Sequence, residues 1–264
     1  MKFTFKPQVM GIIIGVLSVF ILATSGLTSC SSFYPPSLSS EDKEFSITYS
    51  KGEILPVISA TYVKGKNKEL KEYFDKAFPL AVGHGLTPLT QLHITDVVEG
   101  TYHPEGFIGL YKWPSPSAAE AFERDPRWAP IKATRSEVFE ELRISAFVLN
   151  KDLKLIFKPD HIYEVQILWL TNDHSDDYSR FIQAMEATLN EVGGRTITHL
   201  SGGQYESLRP WPHQPDRIVI QEWPNATARA AYLNSKAFQL QKHLLYSGVA
   251  NVESFLTKAA LWKP

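Results

Sequence analysis

The chain has 264 residues, 27 basic against 28 acidic side chains for a net charge of -1, and 44% hydrophobic residues. That balance excludes a polybasic nucleic-acid binder and a disordered acidic chain. Its single cysteine, Cys30, has no partner for an intrachain disulfide.

The N-terminus carries Lys2 and Lys6, then no charged side chain from residue 7 to residue 40, with the apolar run VMGIIIGVLSVFILA at residues 9–23. A basic start, an apolar core and a small-residue exit are the order of a secretory leader. The stretch LTSC, residues 27–30, resembles the bacterial lipobox. That resemblance implies a leader over residues 1–29, cleavage just before Cys30, and acylation of its thiol. Burial of acyl chains contributes about 0.8 kcal/mol per methylene, and two chains anchor stably where one does not. Ser31 and Ser32 follow with no aspartate, a pattern that resembles outer-membrane sorting. The expected location is the bacterial cell envelope, lipid-anchored and facing the periplasm from the outer membrane. An uncut membrane anchor with a bystander cysteine and an ordinary secretory leader are the alternatives. Residues 30–52, rich in serine and proline at SSFYPPSLSSED, read as a tether.

Beyond the tether lies an internal repeat. YKWPSPSAAEAFERDPRW, from residue 111, aligns without gaps on QEWPNATARAAYLNSKAF, from residue 221, at an offset of 110. Trp113 and Pro114 fall on Trp223 and Pro224, Ala118 on Ala228, Ala121 on Ala231, Phe122 on Tyr232 and Trp128 on Phe238. Two copies of one fold are expected, over residues 53–152 and 153–264.

In the first copy, residues 55–63 alternate as a strand. Residues 67–83 place Leu70, Phe74, Ala77, Phe78 and Ala81 at helical spacing, with Gly83 as the expected C-cap. Strands at 89–97 and 107–113 follow, then a helix from 115 with Pro116 in its first turn, and a closing strand at 143–149. The second copy repeats this with a strand at 162–170, a helix at 176–193, strands RTITHL and DRIVIQEW, the helix ATARAAYL and a closing strand near 252–257. The order β-α-β-β-α-β, twice, is the ferredoxin-like split unit. The expected fold class is α+β, two tandem ferredoxin-like units packed sheet against sheet as an intramolecular dimeric α/β barrel.

The second copy carries Gly193-Gly194-Arg195, Glu206, Arg217-Ile218-Val219-Ile220, Trp223-Pro224-Asn225 and Tyr232-Leu233-Asn234-Ser235. These residues resemble the DUF1330 group of the dimeric α/β-barrel superfamily. The first copy departs from it: His84 and Gly85 replace the second glycine and the arginine, and Asp125-Pro126 interrupts the second helix. The superfamily includes monooxygenases, haem-degrading enzymes and members with no assigned chemistry, so the resemblance implies a fold more than an activity.

Among eight histidines there is no HExxH, and neither a CxxC pair nor a Walker loop occurs, so no metal site is expected and no motif names a cofactor, whose identity stays open. His199, on the strand RTITHL, is the first candidate for a catalytic base in the barrel cavity; His161 and His84 are the others. A hydrogen-bonded structural histidine is the competing reading. Residues 202–216, GGQYESLRPWPHQPD, form a hairpin that concentrates Tyr205, Glu206, Arg209, Trp211 and His213; Tyr205, Glu206, Arg209 and His213 are the expected binding residues, and a proline-stiffened hairpin with its polar groups in water is the competing reading. Trp113, Trp223 and Trp169 read as packing residues, and the carboxylates of DHSDD at 173–177 as helix caps.

The function expected from these features is an envelope lipoprotein binding an envelope protein or a small ligand through the paired domains, with no nucleic-acid partner. The alternative is a monooxygenase-like or haem-binding enzyme using a histidine in the barrel cavity.

Overall fold

The computed structural model describes residues 44–208 and 213–262. The leader, Cys30, Arg209 and Trp211 lie outside the described residues.

A short strand, β1 (Phe45–Tyr49), leads in. Repeat 1 follows as β2 (Ile54–Tyr62), α1 (Asn67–Gly83), β3 (Thr87–Glu99), β4 (Phe107–Lys112), α2 (Pro116–Glu123), α3 (Trp128–Ala133), α4 (Arg135–Val138) and β5 (Phe139–Val148). A second short strand, β6 (Leu153–Phe157), leads into repeat 2: β7 (Ile162–Leu170), α5 (Ser175–Glu191), β8 (Arg195–Ser201), β9 (Gln204–Ser207), β10 (Arg217–Trp223), α6 (Ala226–Asn234), α7 (Lys236–Gly248) and β11 (Val249–Leu261).

The local chemistry is duplicated along with the order. Ser115 Oγ accepts from the Ala118 N–H at 3.2 Å to start α2, and its equivalent Asn225 accepts from Ala228 at 2.9 Å to start α6. Asp125 accepts from the Arg127 N–H just before α3, and its equivalent Ser235 caps α7 through Phe238. The interruption expected only in the first copy therefore breaks the second helix in both. Gly83 ends α1 without capping it; the left-handed residue is Gly85, at φ +98°.

The sheet order is β5-β2-β4-β3 within repeat 1 and β11-β7-β10-β8 within repeat 2, the ferredoxin-like order in each. The two sheets do more than face each other, because β11 pairs with β3 and β9 pairs with β5, both antiparallel. Strands β8 and β9 are one strand bent at Gly202-Gly203, so a single segment supplies both ends of the nine-stranded sheet and closes it into a barrel. The bend depends on these glycines. Gly202 sits at φ +68°, and a Cβ on Gly203 would meet the Phe147 ring at 2.6 Å. Every neighbouring pair is antiparallel, so equivalent strands of the two repeats run the same way and the pseudo-twofold axis lies along the barrel.

Inward-facing residues alternate along each strand and fill the lumen, among them Leu55, Leu92, Leu110, Tyr163, Val165, Ile220 and Phe255. Burial of each such side chain stabilises by about 1.5–3 kcal/mol. Strands β1 and β6 pair with each other, and Ile47, Tyr49, Leu155 and Phe157 join the same core, so the pair plugs the end of the barrel from which β2 and β7 start. This corrects the tether reading for residues 45–49: an alternating FSITY segment buries Ile47 and Tyr49. Outside the barrel, α1 to α4 cover repeat 1 around Trp113, Phe122 and Trp128, and α5 to α7 cover repeat 2 around Phe181, Trp223 and Phe238.

Candidate functional site

At the end away from the plug, near the C-termini of β2 and β7, the lumen opens into a cavity of about 300 Å³ counting its mouth. Ser59, Arg143, Ser145, Trp169, Tyr205 and Pro215 contribute to its wall. Between the side chains there is room for about one ordered water.

Each polar group arrives from a strand position that faces inward. Arg143 on β5 donates from its Nε to Glu141 Oε1 at 2.5 Å and from a terminal nitrogen to Glu253 on β11. The Tyr102 ring lies 3.7 Å from the guanidinium carbon, and the Tyr102 hydroxyl donates to Ser59 Oγ at 3.1 Å. Arg143 and Glu253 are 110 residues apart and are therefore equivalent positions, meeting across the pseudo-twofold axis. Their side chains are 8% and 5% exposed.

Burial works against the Arg143 charge, but Glu253 and Glu141 outweigh it and hold the guanidinium above its ordinary pKa. Burial, reinforced by Glu141 against the attraction of Arg143, raises the Glu253 carboxyl. The Tyr205 phenol is raised by burial too. Its hydroxyl has no well-formed hydrogen bond, and Ser207 only tempers the rise. The cation here is thus already matched by two carboxylates, and the hydroxyls of Ser59, Ser145 and Tyr205 supply the hydrogen-bonding groups of the wall.

The expected residues divide around this cavity. Tyr205 lines it. The His213 carbonyl accepts from Trp169 Nε1 at 2.9 Å, holding this residue against a side chain of the cavity wall. Glu206 turns outward to Arg135 at 2.7 Å and Lys132 at 3.0 Å, stitching repeat 2 to the helices of repeat 1. Arg135 is itself buried, donating to Tyr73 and lying over Trp128.

His199 does not face the lumen. Its neighbours Thr198 and Leu200 are the buried residues of β8, whereas the His199 side chain lies on the outer side beside Tyr178 of α5, ring centroids 6.1 Å apart. A bulge at residue 197 offsets the pairing of β8 with β10, and strand alternation then fixes His199 outward. Burial and Arg217 lower its pKa. His161 sits 2.6 Å from Glu222, and His84 2.9 Å from Asp125; neither lines the cavity. In DHSDD, Asp177 accepts from Ser247 and Arg180 instead of capping α5, and His174 at the cap position makes no side-chain cap. Among the described residues no group of three metal-ligating side chains occurs, and no helix is long and apolar enough to cross a membrane.

Buried charges were the signal missed. Arg143, Glu164, Glu222 and Glu253 are buried charges on strands, where a charge needs a partner. Glu164, on the outer face of β7, accepts from Arg229 Nε at 2.7 Å, Ser254 at 2.7 Å and Trp223 Nε1 at 3.1 Å. Burial raises its pKa, but the Arg229 hydrogen bonds and charge, with Ser254 and Gln166, outweigh this and hold it below the ordinary 4.5.

No curated protein matches the chain. Among solved structures, an anthrone oxidase-like protein superposes with a TM-score of 0.53 at 14% identity, covering 81% of this chain and 96% of its own. A monooxygenase by provisional name from Fusobacterium nucleatum reaches 0.43 at 9% identity, over 80% and 98%. A protein of unknown function from Rhodopseudomonas palustris matches 40% of this chain and 86% of its own at 17% identity, with a TM-score of 0.32. The first of these shares the mixed α+β barrel architecture. Residues 57–146 match the profile of a domain of unknown function, DUF1330. The match falls on repeat 1, whereas the sequence resemblance was drawn from repeat 2. The segment similar to DUF1330 by profile is thus most of repeat 1, which stands in a barrel that repeat 2 completes.

Proposed function

We propose that the protein is an envelope lipoprotein, anchored through Cys30, whose fused barrel binds a small neutral hydrogen-bonding molecule at the open end of its lumen. The observation that carries the binding half is the cavity wall: three hydroxyls and Trp169 surround a space whose arginine is already neutralised by two carboxylates. An anion would meet the surplus carboxylate, and with room for about one water between the side chains, only a molecule of a few heavy atoms enters without the wall giving way. A histidine-dependent oxygenase draws no support from this geometry, since His199 lies on the outer face. The anchoring half rests on the leader and lipobox resemblance alone.

Two measurements test the two halves. Intact mass of protein expressed with its leader in a bacterial host, beside Cys30→Ala, is expected to equal residues 30–264 plus acyl chains. An unmodified full-length mass refutes the anchor. For binding, small molecules released from the purified barrel are compared by mass spectrometry with those from Ser145→Ile, which fills the cavity. A species present in the first and missing from the second is expected; identical profiles refute the site.

A further inference from the structure

The outer face of repeat 1 holds a second feature. Phe107 and Tyr111 of β4 project from the sheet toward Phe78 of α1, all three rings half-buried. Trp262, just past β11, lies among them: its ring stacks on Phe78 with centroids 5.7 Å apart and planes 22° apart, and lies 6.1 Å from Phe107 and 5.9 Å from Tyr111. His93 flanks Phe107 at 5.9 Å. Gly109 makes the arrangement possible, because a Cβ there would meet the Tyr111 ring at 2.5 Å. Repeat 2 has no counterpart: its residues 110 further along are Thr188, Arg217, Val219 and Gln221 in place of Phe78, Phe107, Gly109 and Tyr111.

The indole sits past the end of the β11 ladder, where one backbone hydrogen bond holds its residue. The last paired residue of β11 is Leu261, opposite Thr90, and beyond it the Trp262 N–H donates to the Leu89 carbonyl at 3.2 Å. Strand ends open at small cost, whereas offset and edge contacts between aromatic rings each contribute beyond their area.

We propose that this aromatic slot is a binding site for a planar, bicyclic aromatic or heteroaromatic molecule, and that Trp262 is its built-in occupant, swinging out when the ligand enters. The slot lies on the outer face of repeat 1, apart from the lumen cavity, so the two proposals stand or fall separately. Burial keeps the His93 imidazole below its ordinary pKa, which places a neutral ring beside the entering ligand.

The test uses indole as the probe and the full chain labelled with 5-fluorotryptophan, the Trp262 resonance being assigned by its loss in Trp262→Phe. Indole is expected to move the Trp262 fluorine signal toward its solvent-exposed position and to leave the buried tryptophans unmoved. Trp262→Ala is expected to bind indole about tenfold more tightly than the parent, since no occupant has to leave. Phe78→Ala in that background is expected to remove the binding. A Trp262 signal that stays in place while indole saturates the protein overturns the proposal. So does a natively folded Trp262→Ala that fails to bind indole, or binding that survives Phe78→Ala.

Discussion

Repeat 1 and repeat 2 share one strand order and carry opposite charges at two equivalent positions. Arg143 in one is Glu253 in the other, and the pair meets on the barrel axis. Lys112 in one is Glu222 in the other; the lysine answers Glu53, and the glutamate answers Arg195 and Lys158. In a barrel made of two identical chains, a residue on the axis faces its own copy, and a buried charge there would face its like. Within one chain that restriction is absent, and at these positions the two halves are complementary, so the barrel depends on both.

The largest expected effect comes from breaking that complementarity. Arg143→Met leaves Glu141 and Glu253 buried without their cation and is expected to cost about 3–5 kcal/mol in urea unfolding. The exchanged pair, Arg143→Glu with Glu253→Arg, restores opposite charges and is expected to recover at least half of that loss. If the double variant is as unstable as the single one, the axis does not tolerate exchange and the comparison fails.

A similar loss, about 3 kcal/mol, is expected for Arg229→Ala in repeat 2, because Glu164 is then left buried without its bidentate partner. The pH dependence follows from the same pair. The Glu164 pKa is depressed in the fold, so its pairing contributes fully above the ordinary 4.5 and the contribution fades as pH falls through the folded value. Thermal unfolding from pH 7 to pH 3 is expected to show a shallower acid loss in Glu164→Gln than in the parent.

The two seams between repeats sharpen the contrast at smaller scale. Glu206 reaches the buried Arg135, and Glu206→Gln is expected to cost about 1–3 kcal/mol. Its equivalent Asp96 is exposed and acts on Arg229 through space; Asp96→Asn is expected to cost less than about 0.5 kcal/mol. Equal losses at the two positions would mean that the seams are chemically alike.

Much of this fold was legible because both periodicities are strong where packing is one-sided. The helix at 67–83 and the strand at 162–170 match α1 and β7 to the residue, since each has one clear apolar pattern. Strands β1, β6 and β9 were not legible. They are short, and what makes them strands is pairing with segments far away in sequence, which local pattern does not carry. The break between the two helices was visible as Asp125-Pro126 but masked in repeat 2, where Ser235 does the same capping without a proline.

Of the residues expected at the site, Tyr205 lines the cavity and His199 lies on the outer side of β8. His199 pairs with Val219, which packs with Tyr178 outside the barrel, and alternation from the inward Leu200 sets both on that outer side. Arg143 and Glu253 were detectable in principle. Aligned at the offset of 110, they are opposite charges in two closing strands that are otherwise largely apolar.

The seam between β3 and β11 carries a kinetic consequence. Thr90 donates to the Ala260 carbonyl across 170 residues of sequence, and the barrel cannot close until that pairing forms. Loop closure over such a distance is slow relative to the assembly of either repeat, and the ladder offers nothing until its ends have met. During that interval repeat 1 displays the bare edges of both β3 and β5, the geometry most prone to pairing with another chain. Holding those edges apart from other chains until the last strand arrives is a demand that this architecture places on the route by which the protein folds.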